Sequence, residues 1–129
     1  MAIGFLTTHY IPANKLIRGE AYNHVAPRHD TLPRFLDRIA SVYGQRIEWA
    51  AKGGISKLDA IIASFAAHHR IAWIHPFPDG NGRVARIALD TMLRSCGVNQ
   101  AGLWSMSRGF AKSSEQYKFS LANADSPRK

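Results

Sequence analysis

Residues 75–86 read His75-Pro-Phe-Pro-Asp-Gly-Asn-Gly-Arg-Val-Ala-Arg86. This run combines a candidate base, a carboxylate, a glycine-rich turn and two arginines. The glycines on either side of Asn81 let the backbone turn tightly and approach a ligand closely. Asn81 is of a residue type that caps helices, so we expect a helix to begin here with its unpaired N–H groups facing an anion. The pattern predicts a phosphate-binding loop at the start of a helix.

The charged residues around this turn fit a nucleotide phosphate chain. Arg83 and Arg86 are three positions apart, so both guanidinium groups can reach phosphates at the helix N-terminus. Asp79 directly precedes the turn, and a carboxylate beside phosphates needs a cation between them, which favours a Mg2+ ligand. An imidazole titrates near neutral pH, so His75 is a suitable base for a hydroxyl nucleophile. Taken singly, each piece is common in purely structural roles, and the functional prediction depends on their conjunction.

The remainder of the chain predicts an all-α domain. Thr31 or Asp30 is expected to start a helix that Gly44 stops, and a shorter helix then runs to Ala51. A capping-box pattern precedes the central helix at Ser56 and Asp59, and the helix that follows the glycine turn ends before Gly97. Apolar residues at helical spacing predict the buried faces as follows: Phe35, Leu36, Ile39, Val42 and Tyr43; Leu58, Ile61, Ile62, Phe65, His69, Ala72 and Trp73; and Val84, Ile87, Ala88 and Met92.

Other side chains are predicted to have packing roles. His68 and His69 are adjacent and point about 100° apart on a helix, so we expect packing or support rather than metal ligation. Phe77 is expected to turn inward and anchor its loop, and Cys96 to be a buried, unreactive thiol. The apolar residues of the last helix are expected in the core: Phe110, Tyr117, Phe119 and Leu121.

Composition narrows the classes of function. The chain has 129 residues, one cysteine and a formal net charge of +8. We predict one domain, residues 1–129, in the cytoplasm, with no membrane span. The positive charge raises the alternative of nucleic-acid binding, but the basic residues are scattered along the chain without a dense cluster, so attraction of a nucleotide phosphate chain and an acidic target is the simpler account.

The signature run, residues 75–86, resembles that of the Fic (filamentation induced by cAMP) family, whose pattern His-Pro-Phe-x-Asp-Gly-Asn-Gly-Arg-x-x-Arg it matches at every fixed position. The resemblance implies a Fic-type helical bundle with a short β-hairpin flap at about 16–27 and the signature loop and helix at 75–95. It also implies a protein adenylyltransferase that moves AMP from the co-substrate ATP to a Ser, Thr or Tyr hydroxyl of a target protein. The implied roles are His75 as base, Asp79 as Mg2+ ligand, and Gly80, Asn81, Gly82, Arg83 and Arg86 as ATP-binding residues. Such a chain is either a short family member or a piece of a longer one.

The resemblance leaves regulation and the transferred group open. Many members carry an inhibitory helix in which Ser or Thr stands four positions before a Glu that precedes Gly or Asn, and no glutamate of this chain has those neighbours. We therefore expect inhibition from a helix outside this chain or from an antitoxin-like protein, unless the domain is constitutively competent. Gly82 argues against a kinase-like branch that has lysine there. Phosphocholine transfer stays open, as does an inactive or regulatory module that binds nucleotide, protein or DNA. Any DNA contact is expected through a module not present here.

Overall fold

The computed structural model describes residues 16–17, 20–21 and 26–125, and in this part of the chain the fold is helical, as predicted. Two short strands, β1 and β2, pair antiparallel with Leu16 opposite Ala21. The element bounds are β1 Leu16–Ile17, β2 Glu20–Ala21, a 3-10 turn His29–Thr31, α1 Leu32–Ile39, a π-helical stretch Ala40–Gly44, α2 Gln45–Ala51, α3 Lys57–Ile74, α4 Asn81–Ser95, α5 Met106–Lys112 and α6 Ser114–Asp125.

The centre of the fold is the pair formed by α3 and α4. Helix α2 packs against α3, α5 packs against α4, and α6 lies beside both α3 and β1. This arrangement places the connection between α3 and α4, residues 75–80, at the junction of the two most extensively packed helices. No helix among the described residues is both long and apolar enough to cross a bilayer.

The predicted flap is described only in part. The β1–β2 pairing falls within the 16–27 segment, and Ala26 and Pro27 are not in a strand. The remaining residues of that segment lie outside the described residues. The function of this segment as a flap therefore stays a prediction.

The prediction that Gly44 stops the first helix is wrong. Gly44 has a helical backbone (φ −59°, ψ −45°), and α1 continues through the π-helical stretch into α2. A glycine inside a helix costs only about 1 kcal/mol relative to alanine, which packing against α3 can offset. The end at Ala51 is confirmed, and Gly53 then reverses the chain with a positive φ of 76°.

Helix α3 begins as its sequence predicts. The hydroxyl of Ser56 accepts a hydrogen bond from the backbone N–H of Asp59 at 3.1 Å. The same hydroxyl donates to the Asp59 carboxylate at 2.6 Å. The pair therefore satisfies one of the orphan donors of the first turn and fixes the start of the helix.

The predicted buried faces of α3 and α4 are wrong. Leu58 is 65% exposed, Ile62 and Phe65 are also exposed, and on α4 Ile87 is 65% exposed. The buried residues of the two helices lie on a rotated face and are mostly small: Ala60, Ala63, Ser64, Ala67, His68 and Ile74 on α3, and Asn81, Ala85, Leu89 and Leu93 on α4. Small side chains allow two helix axes to approach closely, whereas periodicity judged by the largest apolar residues selects the neighbouring face.

A small apolar cluster lies between α2, the first half of α3 and the end of α4. Ile47 of α2 meets Ala60 and Ala63 of α3 and Cys96 beyond α4, with Tyr43 packed against them. The prediction that Cys96 is buried is confirmed, since it is 4% exposed. Helix α4 ends at Ser95, and Gly97 follows with a positive φ of 83°, as the predicted stop requires.

Candidate active site

The site is built on the loop between α3 and α4, and His75 is its first residue. His75 ends α3 in the left-handed region (φ 49°, ψ 58°), and its backbone N–H donates to the Ile71 carbonyl at 3.3 Å. Its half-buried ring has Nδ1 3.4 Å from the Ala72 carbonyl oxygen. A non-glycine residue in this conformation carries strain of about 1–3 kcal/mol, and such strain concentrates at functional sites. The helix end therefore presents the imidazole at the mouth of the loop.

Asn81 closes the loop with two hydrogen bonds to one peptide position. Its Oδ1 accepts from the Phe77 N–H at 2.8 Å, and its Nδ2 donates to the Phe77 carbonyl at 2.5 Å. Phe77 itself is exposed, so the prediction that its ring anchors the loop is wrong. The amide of the buried Asn81 is what holds the turn, because it satisfies backbone groups that a tight loop cannot pair internally.

The prediction that Asn81 caps the helix is wrong by one residue. Gly80 is the N-cap, with φ 79°, and Asn81 is the first residue of α4. The first helical hydrogen bond runs from the Val84 N–H to the Gly80 carbonyl at 3.0 Å. Because the Asn81 side chain is engaged with Phe77, a contact from Asn81 to ATP would come from its backbone N–H, and that contact stays a prediction.

Both signature arginines fold back over the glycines at the start of α4. A Cβ atom added to Gly80 would lie 3.4 Å from Nη2 of Arg83, and one added to Gly82 would lie 3.0 Å from Nη1 of Arg86. The glycines thus leave room for two guanidinium groups beside the unpaired N–H groups of the helix. Two permanent cations and the positive end of the helix dipole at one place suit a polyphosphate.

Asp79 fits the role of a Mg2+ ligand that shares the ion with a substrate. Its side chain is 95% exposed, and Oδ2 is 3.7 Å from Nη2 of Arg83. No cluster of three or more metal-ligating His, Cys, Asp or Glu side chains occurs in the described part of the chain. Mg2+ is commonly held by one or two carboxylates together with phosphate oxygens, so a single exposed carboxylate beside a phosphate site meets that requirement.

A buried polar cluster lies behind the signature helix. His68 is 3% exposed, with Nδ1 2.9 Å from the Ala85 carbonyl oxygen and Nε2 3.0 Å from the Tyr117 hydroxyl. His68 is buried as a packing role predicts, and Nε2 of the half-buried His69 lies 2.7 Å from the Asp125 carboxylate. Tyr117 and Phe110, which were predicted in the core, are only half-buried, and their rings stack with centroids 4.2 Å apart. The sequence pattern did not predict the hydrogen bond between the Tyr117 hydroxyl and His68.

The protonation of His68 is expected to make stability depend on pH. Burial lowers the pKa of His68, the nearby charges of Arg86 and His69 add to that effect, and the bond to Ala85 opposes it. The unfolded chain therefore binds a proton more readily than the folded one. The contribution of neutral His68 is complete above its unfolded pKa of about 6.5 and is lost as the pH falls from there through the lower folded pKa.

Urea unfolding at several pH values below about 7.5 measures this effect. We expect the free energy of unfolding of the wild type to fall on acidification more steeply than that of His68→Gln. The exposed His29 offers a matched control, and His29→Gln should keep the wild-type slope. Equal slopes for wild type and His68→Gln would contradict the assignment.

The chain is similar in sequence to known proteins of one family. The Fic/DOC family model matches residues 4–93. Protein adenylyltransferase Fic of Drosophila willistoni is 38% identical over 89 residues, which cover 67% of this chain and 16% of the relative. The Drosophila erecta protein of the same name is 41% identical over 54 residues, 41% of this chain and 11% of the relative. Protein adenylyltransferase fic-1 of Caenorhabditis briggsae is 33% identical over 76 residues, 59% of this chain and 13% of the relative.

The chain thus spans between 11% and 16% of the length of these relatives. No solved structure gives a significant match. The matched region, residues 4–93, includes the signature run together with the α3–α4 connection that carries it. The chain belongs to the Fic/DOC family.

Proposed function

We propose that this chain is the catalytic core of a protein adenylyltransferase, which transfers AMP from ATP to a Ser, Thr or Tyr hydroxyl of a target protein. The observation that carries the proposal is the convergence of the Arg83 and Arg86 guanidinium groups on the glycines at the start of α4. His75 lies at the other end of the same short loop. Relatives named protein adenylyltransferases support the reaction class, although the chain spans only a small part of each.

In the proposed mechanism the chain mainly positions phosphates and neutralises their charge. The N–H groups of Gly80 to Gly82 bind phosphate oxygens, Arg83 binds the β-phosphate and Arg86 binds the γ-phosphate. The target hydroxyl oxygen attacks the α-phosphorus, and its proton passes to His75. The bond from the α-phosphorus to the bridging oxygen breaks, so the products are an AMP ester and pyrophosphate.

Asp79 is the residue that would hold Mg2+. When bound there with phosphate oxygens, the ion supplies charge neutralisation of the leaving pyrophosphate. The ion pair of Asp79 with Arg83 is long and solvent-exposed, and pairs of this kind contribute only about 0–1 kcal/mol. Asp79 can therefore exchange this partner for a cation at little cost.

The target and the inhibitor are the partners of this proposal. A target peptide would pair with the segment at about 16–27, where β1 and β2 form the described strand pair, and so present its hydroxyl through backbone bonds. An antitoxin-like protein or a helix outside this chain would supply inhibition. We assign the reaction to the cytoplasm, where a thiol such as Cys96 stays reduced.

Label transfer from ATP tests the proposal. The chain is incubated with Mg2+ and cell lysate, with ATP labelled at the α-phosphate in one sample and at the γ-phosphate in the other. We expect labelled protein from α-labelled ATP alone, because AMP transfer releases the γ-phosphate within pyrophosphate. Protein labelled from the γ-phosphate alone would indicate phosphate transfer, and no label despite nucleotide binding would indicate an inactive module. Either result would contradict the proposal.

A further inference from the structure

Arg86 lies beside a half-buried tyrosine of α6. Arg86 and Tyr117 line one cavity of about 240 Å³ between α4, α5 and α6. Burial raises the pKa of the Tyr117 hydroxyl, and the charge of the nearby Arg86 guanidinium opposes that rise. A guanidinium carries five N–H donors, so Arg86 can contact Tyr117 while its Nη1 faces Gly82.

The direction of the two hydrogen bonds that His68 makes, with Ala85 and with Tyr117, follows from the acceptors. The Ala85 carbonyl can only accept, so Nδ1 of His68 must carry the proton in that bond. In the neutral ring Nε2 is then an acceptor, and the Tyr117 hydroxyl donates to it. The phenolic oxygen is left with its lone pairs for Arg86. The chain of bonds thus runs from the Tyr117 hydroxyl through His68 to the carbonyl of Ala85, the neighbour of Arg86 in α4.

The aromatic packing makes this chain of bonds rigid. Phe110 stacks on Tyr117 at 4.2 Å between ring centroids and on His68 at 5.7 Å. The Tyr117 side chain is therefore fixed by three helices, α3, α5 and α6. An arginine held in advance by such a partner loses less rotamer entropy when a phosphate binds.

We propose that Tyr117 and His68 are positioning residues that hold Arg86 aimed at the terminal phosphate of a nucleoside triphosphate. This inference rests on the proposed function, because it takes Arg86 as the γ-phosphate ligand. It adds that preference for a triphosphate over a diphosphate depends on α6, which lies outside the signature run. Neither positioning residue touches the reacting atoms.

The test measures the affinities of Tyr117→Phe for ATP and ADP, each with Mg2+, by calorimetry. The substitution keeps the ring stacked on Phe110 and removes the hydroxyl. Loss of one hydrogen bond at Arg86 should weaken ATP binding about fivefold and ADP binding less than about twofold. The KM for ATP should rise by the same factor as the dissociation constant. Tyr43→Phe removes the hydroxyl of another half-buried tyrosine, packed in the Ile47 cluster, and should leave both affinities unchanged.

Two further variants separate positioning from a general loss of structure. In an Arg86→Ala background, Tyr117→Phe should cause no additional change in the ratio of ATP to ADP affinity, because it acts through Arg86. His68→Gln keeps an acceptor for Tyr117 but loses the bond to Ala85, so it should lower the ratio by less than Tyr117→Phe. Circular dichroism checks that each variant is folded. If Tyr117→Phe unfolds, His68→Gln serves as the test, and an unchanged ratio in it would overturn the inference.

The outcomes distinguish this inference from the proposed function. A wild type that binds ATP, with an affinity ratio unchanged by Tyr117→Phe, would overturn the positioning roles and leave AMP transfer standing. A further loss of the ratio in the Arg86→Ala background would also overturn them. A wild type that binds neither nucleotide would overturn the proposed function, and this inference with it.

Discussion

His75→Ala is expected to lower the rate of AMP transfer by about 10²–10⁴-fold, the contribution of a positioned general base, and to leave ATP affinity within about twofold of the wild type. The reason is that the two ends of the loop have different roles. The phosphate contacts come from the start of α4 and its two arginines, whereas His75 ends α3 and acts on the incoming hydroxyl. Single-turnover transfer and calorimetric binding measure the two quantities separately.

A second substitution controls for the backbone of His75. Its left-handed conformation suits asparagine better than alanine, so His75→Asn should keep the loop geometry and still lack a base. Both variants should therefore lose transfer alike, and the exposed His29→Ala should retain it. Lost ATP binding in His75→Asn, or retained transfer in either variant, would contradict the role of His75.

Leu89→Ala is expected to lower the free energy of unfolding by about 2.7–5 kcal/mol, the range measured when Leu→Ala leaves a cavity in a packed core. Leu89 is 0% exposed on α4, the helix that packs most extensively against α3. Urea unfolding followed by circular dichroism gives the value.

The matched control is Ile87→Ala, two positions away on the same helix. Ile87 is 65% exposed, so the cost should stay within about 0.5 kcal/mol, as for most surface substitutions. Equal costs at the two positions, or a larger cost at Ile87, would support the face that apolar periodicity predicts and contradict the packing of the structure.

The contrast between these two positions shows what periodicity can and cannot predict. The helical class and the start of α3 at Ser56 follow from local chemistry, because a cap involves only neighbours in the chain. The choice of buried face depends on which helix packs alongside, and alanines carry little weight in a pattern judged by large apolar residues. The buried residues include Ala60, Ala63 and Ala67 on α3 and Ala85 on α4, so the sequence pattern indicates the wrong face.

In the candidate site, too, the local features can be predicted from the sequence, whereas the contacts between distant residues cannot. The order of His75, Asp79, Gly80 and the two arginines predicts a phosphate site because the spacing along one loop and one helix turn determines which groups meet. Tyr117 is 49 residues from His68, and only the packing of α6 brings their side chains together. The inward amide of Asn81 was also beyond sequence reasoning, since Asn is equally suited to a cap and to bridging a loop.

Mass spectrometry of the modified protein tests the central claim most directly. The chain, ATP, Mg2+ and a lysate of target proteins are incubated together, and the modified protein is digested and fragmented to identify both the added group and the acceptor residue. AMP transfer predicts one AMP group on a Ser, Thr or Tyr hydroxyl, formed by the wild type and not by His75→Asn. A phosphate or phosphocholine group instead, or an AMP group formed equally by His75→Asn, would contradict the account.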